Sequence, residues 1–119
     1  MYQLFVLSFL VATTAAFLEL PVSRNETQIS WRFRAYEDEN CQTEIIVEDG
    51  QEEKLCADTS KQLHSYRFSA DIDPDTLDTF SVRLYDQPEC LYLSVIDDPN
   101  DGACHTAPFQ SYNVFSYAG

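Results

Sequence analysis

Glycine is scarce in this chain, with three in 119 residues. Tight turns that need a positive φ must therefore draw on Asn, Asp or other residues that tolerate it less well. Basic residues are also few: 7 Lys and Arg stand against 20 Asp and Glu, for a net charge of −13 with His neutral. Such an acidic surface repels phosphate backbones and anionic lipid headgroups, which argues against nucleic-acid and membrane-surface roles. Long apolar runs are missing too. The run Leu4–Val11 falls well short of the roughly 20 residues that a membrane-spanning helix needs. No sustained 3.6-residue period appears, and no Gly-x-Ser-x-Gly nucleophile elbow occurs.

What is present begins with an address. Met1–Ala16 combines an apolar run with Thr14-Ala15-Ala16, a small-x-small cleavage pattern. It reads as a secretory signal peptide that leaves a mature domain of residues 17–119. Asn25-Glu26-Thr27 is an N-glycosylation sequon in the lead-in that follows. Four cysteines, Cys41, Cys56, Cys90 and Cys104, are an even set in a small secreted chain and read as two disulfides. Three pairings are possible. The favoured one is Cys41–Cys56 with Cys90–Cys104, each closing a loop of about 15 residues worth roughly 3 kcal/mol. The pairing of Cys41–Cys90 with Cys56–Cys104 stays open.

Along the chain the period is two. Ile29, Trp31, Phe33 and Ala35 alternate with Ser30, Arg32, Arg34 and Tyr36; later, Phe80, Val82 and Leu84 alternate with Ser81, Arg83 and Tyr85. Both runs predict half-buried strands. Thr43–Val47, Lys54–Cys56 and Ser111–Tyr117 predict further strands, and Leu63–Ser69 predicts one with His64, Tyr66 and Phe68 on a single face. Glu48–Glu53 reads as a solvated acidic turn, and Thr76–Thr79 as one helical turn after the cluster Asp71–Asp75. Leu91–Ile96 is apolar on both faces and is expected to be the most buried strand. Asp97–Gly102 is a strong turn signal. The fold class is all-β.

The chain also repeats itself. Phe33-Arg34-Ala35-Tyr36 reaches Cys41 after four further residues, as Val82-Arg83-Leu84-Tyr85 reaches Cys90. Ser65-Tyr66 follows Cys56, and Ser111-Tyr112 follows Cys104. Two units of 31–69 and 79–117 account for these echoes. They resemble the paired Greek-key motifs of the βγ-crystallin domain. Tyr36 and Tyr85 match the first aromatic of that family's hairpin motif, and Ser65 and Ser111 match the serine that packs over the hairpin. Cys41 and Cys90 stand where the family has its second aromatic. Thr43 and Tyr92 stand where it has a positive-φ glycine. The pattern is also similar to small cysteine-rich secreted proteins of filamentous fungi. The resemblance implies two Greek-key-like units forming a small disulfide-stapled β-sandwich.

Candidate chemistry is thin. The crystallin-type calcium signature is missing its carboxylates, since Ser60 and Lys61 precede Ser65, and Thr106 and Ala107 precede Ser111. An EF-hand read from Asp97 meets Pro99 and Pro108 at ligand positions, leaving only a loose oxygen cluster of Asp97, Asp98 and Asp101. Cys104-His105 suggests zinc only if the thiol is reduced. His64 and Ser65, adjacent on a strand, point to opposite faces and would not form a nucleophile–base pair. No cofactor is expected. Arg34 with Tyr36, and Arg83 with Tyr85, form a candidate binding face, because Tyr and Arg are enriched at interaction hot spots. The expectation is a secreted, non-enzymatic binding or effector-type protein that presents loops from a rigid scaffold to an extracellular protein or glycan. No membrane insertion of the mature chain is expected. The alternatives are a secreted toxin or antimicrobial protein, and an inhibitor of a secreted hydrolase acting through the loop Asp97–Thr106.

Overall fold

The computed structural model describes residues 28–95 and 100–118. The proposed signal peptide, Asn25, Asp97 and Asp98 lie outside the described residues. Six strands follow in order: β1 (Trp31–Tyr36), β2 (Glu44–Gly50), β3 (Lys54–Ala70), β4 (Thr79–Gln87), β5 (Leu91–Val95) and β6 (His105–Tyr117). A tight turn, Pro88–Cys90, with Glu89 and Cys90 in the left-handed region, joins β4 to β5. All pairings are antiparallel, in the sheet order β2-β1-β3-β6-β4-β5. Exchanging β1, β2 and β3 for β4, β5 and β6 leaves that order unchanged.

The two long central strands divide their length. Residues 65–70 of β3 pair with β1, while Lys54, Ala57 and Asp58 pair with Val114, Tyr112 and Ser111 of β6. In β6, His105, Thr106 and Phe109 pair with β3, and residues 111–117 pair with β4. Between these halves Ser60 takes φ +69°, and the buried Thr59 hydroxyl donates to the carbonyls of Lys61 and Gln110. The sheet therefore folds over on itself into two leaves. Leaf one is β2, β1, the end of β3 and the start of β6. Leaf two is β5, β4, the end of β6 and the start of β3. Rings from both leaves meet inside: Phe33 of β1 lies 4.6 Å from Tyr112 and 6.4 Å from Phe109, centroid to centroid. Phe33, Leu63, Val82, Leu84 and Phe109 are all fully buried.

The alternation in β1 and β4 produces this core directly, with Trp31, Phe33 and Ala35 from one and Phe80, Val82 and Leu84 from the other. Several local expectations change. Lys54–Cys56 and Leu63–Ser69 belong to one strand, β3. A register irregularity between Leu63 and Ser65 puts Leu63 in the core and His64 outside it, so His64 does not share the face of Tyr66 and Phe68. Glu48–Gly50 is strand, not turn, because it pairs with Trp31–Phe33. Gly50 is needed there: a Cβ on it would lie 2.7 Å from the Trp31 ring. The segment after Asp73 closes by Leu77 N–H to Asp73 O (2.8 Å) with Leu77 at φ +65°, and no helical turn forms at Thr76–Thr79. Leu91–Val95 is the largest departure. It is an edge strand paired only to β4, and Leu91, Tyr92 and Leu93 are exposed by 52%, 76% and 45%.

The disulfides are Cys41–Cys104 and Cys56–Cys90, neither of the two pairings weighed from sequence. The crossing of β3 and β6 between leaves is the reason. Cys56, at the leaf-two end of β3, reaches the β4–β5 turn that carries Cys90. Cys104, just before the leaf-one end of β6, reaches the β1–β2 turn that carries Cys41. Each bridge ties one unit to the other.

Candidate recognition surfaces

Two turns are built alike. Ser65 and Ser111 are fully buried. The Ser65 hydroxyl donates to Asp38 O (2.6 Å) and accepts from Cys41 N–H (3.0 Å); the Ser111 hydroxyl donates to Gln87 O (2.6 Å) and accepts from Cys90 N–H (2.8 Å). Cys41 and Cys90 share a positive φ, at +56° and +57°. The glycine-like positions then diverge, since Tyr92 takes φ +60° whereas Thr43 keeps an ordinary backbone. The first turn is further held by the Asp38 carboxylate, which accepts N–H bonds from Asn40 (2.8 Å), Gln42 (3.1 Å) and Thr43 (2.7 Å). These backbone donors, Thr43 first, hold its pKa below the ordinary carboxylate value.

The expected Arg–Tyr face is not one surface. Tyr36 is buried, at 6% exposure, beyond a bulge after Ala35. Arg34 is on the outside of leaf one and Arg83 with Tyr85 on the outside of leaf two. Arg83 lies over the Phe115 ring at 4.3 Å, with its Nε buried and unpartnered, and the Tyr85 hydroxyl donates to Asn113 Oδ1 (2.9 Å). The other sequence candidates separate as well. Ser65 is sealed in its turn, and His64 Nδ1 lies 2.8 Å from Glu37 O. Cys104 is oxidised, and His105 Nε2 pairs with Asp101 Oδ1 at 3.0 Å. That histidine, first, and the Ala103 N–H lower the Asp101 pKa. Among the described residues no group of three or more His, Cys, Asp or Glu side chains is close enough to hold a metal ion. The described part of the loop Asp97–Thr106 is fastened down rather than presented. Asn100 is bonded to the N–H and C=O of Ala70 (2.5 and 2.9 Å), and Gly102 N–H donates to Phe68 O (2.9 Å).

The two leaves offer different outer surfaces. On leaf two, Leu55, Cys56, Tyr85, Cys90, Asn113 and Phe115 line a hollow of about 210 Å³. Leu55, just before Cys56, is 87% exposed, and Leu91 and Tyr92, just after the bonded Cys90, are exposed as well. Leu55, Leu91, Tyr92 and Leu93 are thus exposed apolar residues on the two segments that this disulfide joins. On leaf one, Arg32, Arg34, Arg67, Phe68, Ser69 and Gly102 line a groove of about 240 Å³. The sequence flagged Arg34 and Tyr85 but neither surface, because each is assembled across strands. No protein family model, no curated protein and no solved structure matches this chain, so the surfaces must be read from their own chemistry.

Tyr112 donates to Glu48 Oε1 (2.5 Å), and Lys54 Nζ meets Glu48 Oε2 (2.8 Å), joining β2 to the opposite leaf. Burial, and then the Glu48 carboxylate, push the Tyr112 hydroxyl far above its ordinary pKa. Glu53 accepts from Ser116 N–H and Oγ (2.7 and 2.9 Å), which lowers its pKa.

Proposed function

We propose that this chain is a secreted, non-enzymatic binding protein: two Greek-key-like units of the βγ-crystallin kind, holding the corner around Cys56–Cys90 toward an extracellular protein partner. One observation carries the reading. Tyr92 and Leu55, which lie within two residues of the bonded Cys90 and Cys56, are 76% and 87% exposed, and Tyr92 is held at φ +60°. Contiguous exposed apolar side chains mark interaction sites. A bulky residue kept in a left-handed conformation costs about 1–3 kcal/mol and persists where the surroundings over-determine it, often at functional sites. A backbone already fixed in one conformation loses little entropy on contact. The two bridges in a small domain are consistent with an oxidising, extracellular setting, and the Ser65 and Ser111 turns with their matched bonds support a duplicated unit.

The test is affinity capture from the extracellular fluid in which the protein is made, with native protein and a Leu55→Ser/Tyr92→Ser variant side by side. A partner retained by the first and lost by the second is the expected result. Identical capture profiles would remove this corner as the recognition surface.

A further inference from the structure

Leaf one carries an unusual concentration of positive charge. The chain has 7 Lys and Arg in all, and three of them, Arg32, Arg34 and Arg67, line the single groove of about 240 Å³ beside Gly102. Arg34 and Arg67 are direct cross-strand partners on β1 and β3, a like-charge juxtaposition that is unfavourable unless compensated. Two of the three are compensated within the fold. Arg32 pairs with Asp71 (3.2 Å), and its Nε donates to Ser69 Oγ (3.1 Å). Arg34 pairs with Asp49 (2.7 Å) and also donates to Phe33 O and Glu48 O. Arg67 is different. Among the described residues its one side-chain hydrogen bond runs from Nη1 to the Gly102 carbonyl (3.2 Å), and no carboxylate pairs with it. The nearby Asp101 is taken by His105 and the Ala103 N–H.

We propose that this groove is a binding site for a single carboxylate group, carried by a small organic acid. The guanidinium of Arg67 presents a planar pair of N–H donors that matches a carboxylate in a two-point contact. Arg32 and Arg34, each anchored by its own acid, flank it without needing to move. One uncompensated cation calls for one negative charge, which favours a monoanion over phosphate. The hollow is smaller than the roughly 300–1,000 Å³ of drug-sized pockets, and the net charge of −13 repels polyanions, so the acid is small and otherwise uncharged. This site is on the opposite leaf from the Cys56–Cys90 corner and stands independently of it.

The experiment follows the arginine Nε–H signals by NMR while acetate, lactate and inorganic phosphate are titrated separately at constant ionic strength. Acetate and lactate should move the Arg67 signal, with dissociation constants of about 1 mM. Arg67→Gln should weaken binding by about tenfold or more, the usual loss for a charged hydrogen bond. Arg67→Lys, which keeps the charge but not the fork, should weaken it too, and it decides the question if the glutamine variant does not fold. Arg83→Gln, on the other leaf, should leave the affinity unchanged. The proposal is overturned if neither carboxylate perturbs Arg67, if phosphate binds more tightly than both, if the folded Arg67 variants bind as the native protein does, or if Arg83→Gln loses as much as they do.

Discussion

At the scale of single residues, the two buried serines do the same job twice. Each satisfies one carbonyl and one N–H that the fold has removed from water. Ser65→Ala leaves Asp38 O and Cys41 N–H without that partner, and Ser111→Ala does the same to Gln87 O and Cys90 N–H. An unmet buried polar group costs about 1–3 kcal/mol, so each variant should lose that order of stability in urea unfolding, and the two losses should be similar. A fully stable Ser111→Ala protein beside a weakened Ser65→Ala protein would show the turns to be unlike. Asp38 adds a pH dependence. Its folded pKa is lowered by the N–H groups of Thr43, Asn40 and Gln42. Its contribution is therefore fully present above its unfolded value near pH 4, and is lost as the pH falls through the lower folded value. Asp38→Asn should melt at a lower temperature than the native protein at pH 7, and the gap should close toward pH 2. An equal gap at both pH values would contradict this account.

At the scale of elements, what the chain made legible was periodicity. The alternation of Trp31-Phe33-Ala35 and of Phe80-Val82-Leu84 specified two strands and the faces they bury. The position of a strand within the sheet is not written in its own residues. Leu91–Val95 is apolar enough for a centre, yet it occupies an edge, because Gln87, Pro88 and Glu89 turn it back onto β4 alone. Arg67 escaped notice for a related reason: its neighbours Arg34 and Gly102 come from β1 and from the loop before β6, and only the register brings them together. Tyr92→Gly tests whether the edge strand's backbone is strained for a purpose. Relief of the positive φ and the added freedom of the unfolded chain oppose each other, so stability should change by less than about 1 kcal/mol, while partner capture should fall. On the other edge, Gly50→Ala should displace the Trp31 indole, whose Nε1 donates to Glu52 O at 2.8 Å. Overpacking of this kind costs about 1–3 kcal/mol. Trp31 is the chain's single tryptophan, so its emission spectrum should report the displacement directly; an unchanged spectrum would mean that β2 gives way instead.

At the scale of the whole molecule, the crossed bridges define how the units cooperate. Had each disulfide closed within its own unit, reduction would loosen two hairpins and leave the interface between units to packing alone. Instead, Cys41–Cys104 spans 63 residues and Cys56–Cys90 spans 34, and each runs from the turn of one unit to the start of the long strand of the other, Cys104 standing just before β6 and Cys56 within β3. The crossing could not be read from spacing, because it depends on β3 and β6 each serving both leaves. In the chain-entropy account a bridge is worth more the longer the loop it closes, about 4 kcal/mol for either of these and slightly more for the 63-residue loop. Non-reducing proteolysis should release Cys41 linked to Cys104 and Cys56 linked to Cys90. The paired variants Cys41→Ser/Cys104→Ser and Cys56→Ser/Cys90→Ser should each lose about 4 kcal/mol in denaturant unfolding while keeping a single cooperative transition, since the remaining bridge still joins the units. Only the second should also free the Leu55 and Tyr92 corner. If partner binding fell equally in both variants, the rigidity that matters would belong to the whole sheet and not to the bridge beside the proposed contact.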